Sequence, residues 1–205
     1  MNQNSISLNQ KPLNKDSKKD HLKLKECLKS MNSETRFKFW IKTLISEQST
    51  IPEIIKTVDK IIEIQASSVS FNVDVFNKNG TINQVEKVID LTERKNSLIN
   101  LYVMTKKMLK TLSSDDHDFL ERRFIYNWSA EELAEYYSIS IRTVYRKIDS
   151  LIKTIYSECL KFKWTLKFIE TQTKDEEWLK EKFLKCISDY YKNINYKYES
   201  ERENS

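Results

Sequence analysis

The sequence predicts an all-α protein, and three observations carry that prediction. A single Gly and two Pro among 205 residues leave almost no punctuation for turns or strands. Apolar residues recur at threes and fours through most of the chain. Ser33, Thr50, Ser129 and Ser140 stand where helices would start, with Glu53 and Glu132 three residues after two of them. The expected architecture is a long helical hairpin, then two helices about a tight turn, then a C-terminal helical extension.

Charged residues make up 32% of the chain against 39% hydrophobic, which suits slender, heavily solvated helices. The net charge of +5 is compatible with nucleic acid as a partner without demanding it. No apolar run reaches the length of a membrane span and the N-terminus lacks a signal-peptide core, so the expected location is the cytoplasm, with no membrane partner. Cys27, Cys159 and Cys186 are an odd, scattered set and read as free thiols.

In chain order, residues 1–32 form a polar, basic tail expected to be disordered, with a hint of a short helix at Leu22, Leu24 and Leu28. Residues 33–112 form the hairpin. Ser33 caps a first helix with Phe37, Trp40, Ile41, Leu44 and Ile45 on one stripe. Thr50, Pro52 and Glu53 start a second, carrying Ile54, Ile55, Val58, Ile61, Ile62 and Ile64. Val69, Phe71, Val73 and Val75 then alternate with polar residues before Asn77-Lys78-Asn79-Gly80, so residues 66–82 are expected to form a loop. Asn83 to Leu112 is expected to be one long helix, about 45 Å in length. It serves as intramolecular packing or, alternatively, as an arm that makes a homodimer.

Residues 113–156 carry the strongest local signals. Ser129 and Glu132 make a capping box, Leu133, Ala134 and Tyr137 face inward, and the chain turns through Tyr137-Ser138-Ile139. Ser140 caps the next helix, which buries Val144, Ile148 and Leu151. From Arg142 to Lys167 there are seven bases against Asp149 and Glu158, whereas Glu131 to Glu135 holds three acids and no base. That layout is a helix-turn-helix whose second helix enters the DNA major groove. The bland alternative, a helical hairpin with a solvated face, would more often interleave its charges. The candidate DNA-binding residues are Ser140, Arg142, Thr143, Tyr145, Arg146, Lys147 and Lys153.

The stretch SAEELAEYYSISIRTVYRKI resembles the helix-turn-helix of sigma-70 region 4, with its E-[IL]-A core followed by [IV]-S-x-x-T-V. The preceding residues Leu112, Phe119-Leu120, Arg123-Phe124 and Tyr126 fit the same pattern. The resemblance covers residues 112–153 and is strongest to phage and prophage transcription regulators of low-GC bacteria. It implies double-stranded DNA and RNA polymerase as partners, with action at promoters. One departure is Ser138, at a turn position often held by Gly; a positive φ there costs about 1 kcal/mol.

After this module, residues 157–205 are read as C-terminal helices, the helical register from Ile152 continuing through Phe168, with a frayed tail at 199–205. Lysines interleave with aromatics in FKWTLKF and SDYYKNINYKY. Lysine stems lying over ring faces explain that pattern more simply than base stacking does. One Gly excludes a phosphate-binding loop, and His21 and His117 lack neighbours at metal-ligand spacing. Asp115, Asp116 and Asp118 sit in a first turn, where they favour the helix dipole. No nucleophile, base and orienter assemble, so neither an enzyme nor a cofactor is expected. Two other classes remain beside the regulator: a complete alternative sigma factor, which needs a second promoter-melting module that residues 33–112 do not suggest, and a protein-interaction module that binds no DNA.

Overall fold

The computed structural model describes residues 28–72 and 78–203, with side chains at 28–68 and 82–191. The chain divides into two units, Met1–Asn32 and Ser33–Ser205. Of the first, residues 28–30 are helical; the disordered tail and the helix hint at Leu22 and Leu24 lie outside the described residues. Among the described residues all regular structure is α-helical or turn. No described helix is long and apolar enough to cross a membrane.

The second unit is built around α1 (Ser33–Ser46), which buries Phe37, Phe39, Trp40, Ile41, Thr43, Leu44 and Ile45, half of its 14 residues. The sequence stripe omitted Phe39 and Thr43, whose burial turns a one-faced helix into one covered on most sides. Thr43 is accommodated because its hydroxyl donates to the Phe39 carbonyl at 2.9 Å. Ser33 is the first helical residue.

The helices packed around α1 are α3 (Lys78–Leu109), α4 (Ser114–Phe124), α6 (Ile141–Lys161), α7 (Leu166–Gln172) and α8 (Glu177–Glu203). Trp40 stacks on Phe183 of α8 with ring centres 4.2 Å apart, and Phe37 meets Tyr156 of α6 edge-on at 5.3 Å. Three stretches that the sequence separates, 33–112, 113–156 and 157–205, therefore share one core, because α1 bridges them.

Helix α2 (Thr50–Asn72) lies along α3, with Lys95 ion-paired to Asp59. The expected loop at 66–82 is not found where residues are described. Helix α2 runs on to Asn72 and α3 already starts at Lys78, so the turn signal Lys78-Asn79-Gly80 is helical; residues 73–77 lie outside the described set. The physical reason is hydrogen bonding. A lone strand leaves its backbone groups unpaired, while an existing helix extends at one bond per residue fixed.

Among the described side chains of α3, only the C-terminal part reaches the core, through Leu98, Leu101, Met104, Met108 and Leu109. Val85 and Ile89, expected on its stripe, are exposed, as are Ile61 and Ile64 of α2. Where the arm joins the core, Arg94 Nε and Nη2 donate to the two carboxylate oxygens of Glu176 at 2.6 and 3.0 Å. Glu176 is buried and accepts a third bond, from Trp178 Nε1 at 2.6 Å. The bidentate contact holds the Arg94 guanidinium above its ordinary value.

Helix α6 ends at Lys161 with Lys163 at φ 58°, and Thr165 caps α7, so the helical register expected through Phe168 is broken once. The Phe162 ring is covered instead by the ammonium of Lys107 from α3, 4.1 Å from its centre. The backbone of α8 is helical through Glu203, past the point where a frayed tail is expected. Cys159 and Cys186 are free thiols, Cys159 buried against Met108 with its thiol pushed up to about 12 by desolvation; Cys27 lies outside the described residues.

Candidate nucleic-acid interface

Helices α4, α5 (Ala130–Tyr136) and α6 are each fixed at their start by a serine. Ser113 accepts from the Asp116 N–H at 3.3 Å. Ser129 accepts from the Glu132 N–H at 3.1 Å, while Glu132 accepts from the Ser129 N–H at 2.6 Å, completing the capping box. Ser140 accepts from the Thr143 N–H at 3.1 Å. Each cap satisfies a donor that the helix start would leave open.

The turn between α5 and α6 follows from the end of α5. The Ile139 N–H reaches back to the Ala134 carbonyl and the Ser138 N–H to Glu135, with Ser138 left-handed at φ 52°. Serine therefore occupies a conformation that glycine adopts without strain. Ala130 and Leu133 are the buried residues of α5, and Ala134 is half-buried.

A polar clamp ties the three helices together. Asp118 accepts from Arg122 Nε and from the Tyr137 hydroxyl, both at 2.7 Å, and the Arg122 guanidinium lies over Tyr136 and Trp128. Arg122 and Tyr137 hold the Asp118 carboxyl below its ordinary value. Desolvation, then Asp118, push the Tyr137 phenol up to about 12. On the far side Lys147 Nζ stands 2.8 Å from Asp116 and 4.9 Å from the centre of the Phe119 ring. Lys147, then Ser113, lower Asp116. The acidic first turn of α4 thus holds the helices to one another, a use beyond the dipole role read from sequence. Among the described residues no group of three or more His, Cys, Asp or Glu could hold a metal ion.

Helix α6 buries Val144, Ile148, Leu151, Ile152, Ile155 and Cys159 along one side. Its other side separates the seven candidate residues into two kinds. Arg142, Tyr145, Arg146 and Lys153 are exposed, and neither arginine makes an ion pair or hydrogen bond among the described residues. The Ser140 and Thr143 hydroxyls lie 2.8 Å apart and serve the cap, and Lys147 serves the clamp.

Beside this exposed side runs a cleft of about 1170 Å³, floored by α1 and the end of α4 and walled by α6 and α8. Lys42, Arg123, Lys182 and Lys185 line it together with Arg142 and Tyr145. The four bases on α1, α4 and α8 were missed in the sequence because they lie up to about 140 positions apart along the chain, and only packing around α1 brings them together. No family model, curated protein or solved structure matches this chain.

Proposed function

We propose that this chain is a sequence-specific DNA-binding transcription regulator in which α5, the turn and α6 form a helix-turn-helix of the sigma-70 region 4 kind, acting at promoters with RNA polymerase. One observation carries the reading. The first two turns of α6 present two guanidinium groups, Arg142 and Arg146, unpaired among the described residues, on a helix whose opposite side is sealed into the core. A purely structural helix would pair such groups or leave them scattered. A recognition helix needs them free, because a bidentate bond to guanine uses the whole fork. Tyr145 stands between them with its ring exposed, and Lys153 lies two turns further on, suited to a phosphate. Ser140, Thr143 and Lys147 support this surface by shaping the helix start and its seat.

Binding of the intact chain to its own upstream region, followed by anisotropy with and without RNA polymerase, tests the proposal. Arg142→Ala and Arg146→Ala are each expected to weaken binding by about 1–3 kcal/mol with helix content unchanged. Wild-type binding in both variants would remove α6 from the interface. Capture of polymerase without any DNA binding would favour the protein-interaction reading instead.

A further inference from the structure

The geometry points to a DNA interface wider than the helix-turn-helix: the cleft between α6 and α8 receives one phosphodiester strand bordering the major groove, and Lys185 of α8 contacts its phosphates. This inference rests on the functional proposal above and extends it to helices outside the sigma-like segment.

Three observations support it. First, a helix seated in the major groove is flanked by the two backbone strands, so whatever stands beside it meets phosphate. The cleft lies on that border, since Arg142, Tyr145 and Asp149, at spacings of three and four along α6, form its wall. Secondly, its charge suits a polyanion. Five bases line it, Lys42, Arg123, Arg142, Lys182 and Lys185, against Glu47, Asp149 and Asp189. Glu47 pairs with Lys182 at 3.0 Å and Asp149 with Lys42 at 3.7 Å, which leaves Arg123, Arg142 and Lys185 against Asp189. Lys185 is exposed and makes no ion pair among the described residues, so its ammonium remains free to meet a phosphate. Thirdly, the cleft has a continuation. A recess of about 510 Å³ shares Phe39, Lys42, Asp149 and Tyr190 with it and adds Lys38 and Lys153. The two recesses meet at the Lys42–Asp149 pair, and together they border α6 from Arg142 to Lys153.

An acidic protein segment would also find bases here. Duplex DNA is favoured because Arg142, one of the two arginines suited to base edges, stands in the cleft wall on the same helix as Arg146.

The test is a salt titration of the intact chain on a mixed-sequence duplex of about three helical turns, with poly-glutamate as competitor. Removing one phosphate-neutralising side chain is expected to reduce the log–log slope by about 0.9. Lys185→Gln should show one such step and Lys185→Glu at least as much. Lys185→Arg should keep the wild-type slope, and all three should melt as wild type does. Lys56→Gln, on exposed α2, controls for net charge and should leave the slope unchanged. Unaltered slopes in both Lys185→Gln and Lys185→Glu, with Arg142→Ala still weakened, would overturn the cleft while leaving the recognition helix standing. An equal step in Lys56→Gln would overturn it too, by showing a bulk charge effect. Competition by poly-glutamate as strong as by duplex would overturn it in favour of an acidic protein. A wild-type chain with no salt-dependent duplex binding would bring down both proposals.

Discussion

Helices α3 and α6 are both long and both carry apolar residues at threes and fours, yet they use those residues differently. Helix α6 buries an unbroken stripe from Val144 to Cys159 and leaves its opposite side free. Helix α3 is buried only from Leu98 onward, and Val85 and Ile89 stand exposed beyond the reach of α1. An apolar stripe is thus a statement about what packs against it, and α6 has α1, α5 and the C-terminal part of α3, where the start of α3 lies along α2. A face can be reserved for a partner only on a helix whose other face is already secured, and α6 meets that condition.

The same substitution in the two helices should break this contrast most visibly. Val144→Asp buries a carboxylate with no partner and is expected to cost about 4 kcal/mol or more, enough to unfold the α4–α6 region. Ile89→Asp is expected to cost about 1 kcal/mol or less, since its side chain already meets solvent. Urea titrations of both variants give the comparison. A loss at Ile89 as large as at Val144 would mean that the arm is covered in solution, as a dimerising arm requires.

Arg94 marks where α3 passes from arm to core. Arg94→Met leaves the Glu176 carboxylate buried with only Trp178 donating, and about 2–3 kcal/mol of stability should be lost. Thermal melting beside an Arg94→Lys variant checks it. Lysine keeps the charge but cannot reproduce the two-pronged contact, so it should recover only part of the loss.

The α4–α6 clamp should respond to pH. Asp116 and Asp118 lie below the ordinary carboxylate value of 3.8 in the folded chain. Their contribution is therefore present above that value and is lost as pH falls through the lower folded-state values. Tyr137 is raised from 10.0 to about 12, so its contribution is present below 10.0 and disappears as pH rises toward 12. Denaturant midpoints across pH should fall at both ends, and Asp118→Asn should flatten both limbs. The group is largely solvent-screened, so the change should be modest.

The caps of α4, α5 and α6 differ in how far they could be read from sequence, and so do the larger features. Ser129, Glu132 and Ser140 were legible because a capping bond closes within three residues, and the same locality exposed the turn at Ser138. The hub role of α1 was not legible: Phe39 and Thr43 reveal a second buried side only once helices far along the chain have packed on it. Val69 and Phe71 misled for a related reason. Their alternation with polar neighbours is a local signal, while the absence of a partner strand among the described residues is a global fact. The exposed arginines of α6 were legible, as was the basic run; that Lys147 is spent on Asp116, and that Lys185 and Arg142 line one cleft, depends on tertiary packing.

The smallest effect is expected at the turn. Ser138→Gly relieves a left-handed serine and should stabilise the chain by up to about 1 kcal/mol, less the extra freedom glycine gains when unfolded. A small rise in melting temperature with unchanged DNA binding is the expected result.

Selection of duplexes from a random-sequence pool tests most directly whether the free side of α6 reads DNA. The intact chain should enrich a defined sequence, and the Arg142→Ala/Arg146→Ala double variant should lose preference at particular base pairs while keeping weak, salt-sensitive binding. A pool that stays random with the wild-type chain, or the same sequence enriched by the double variant, would contradict it.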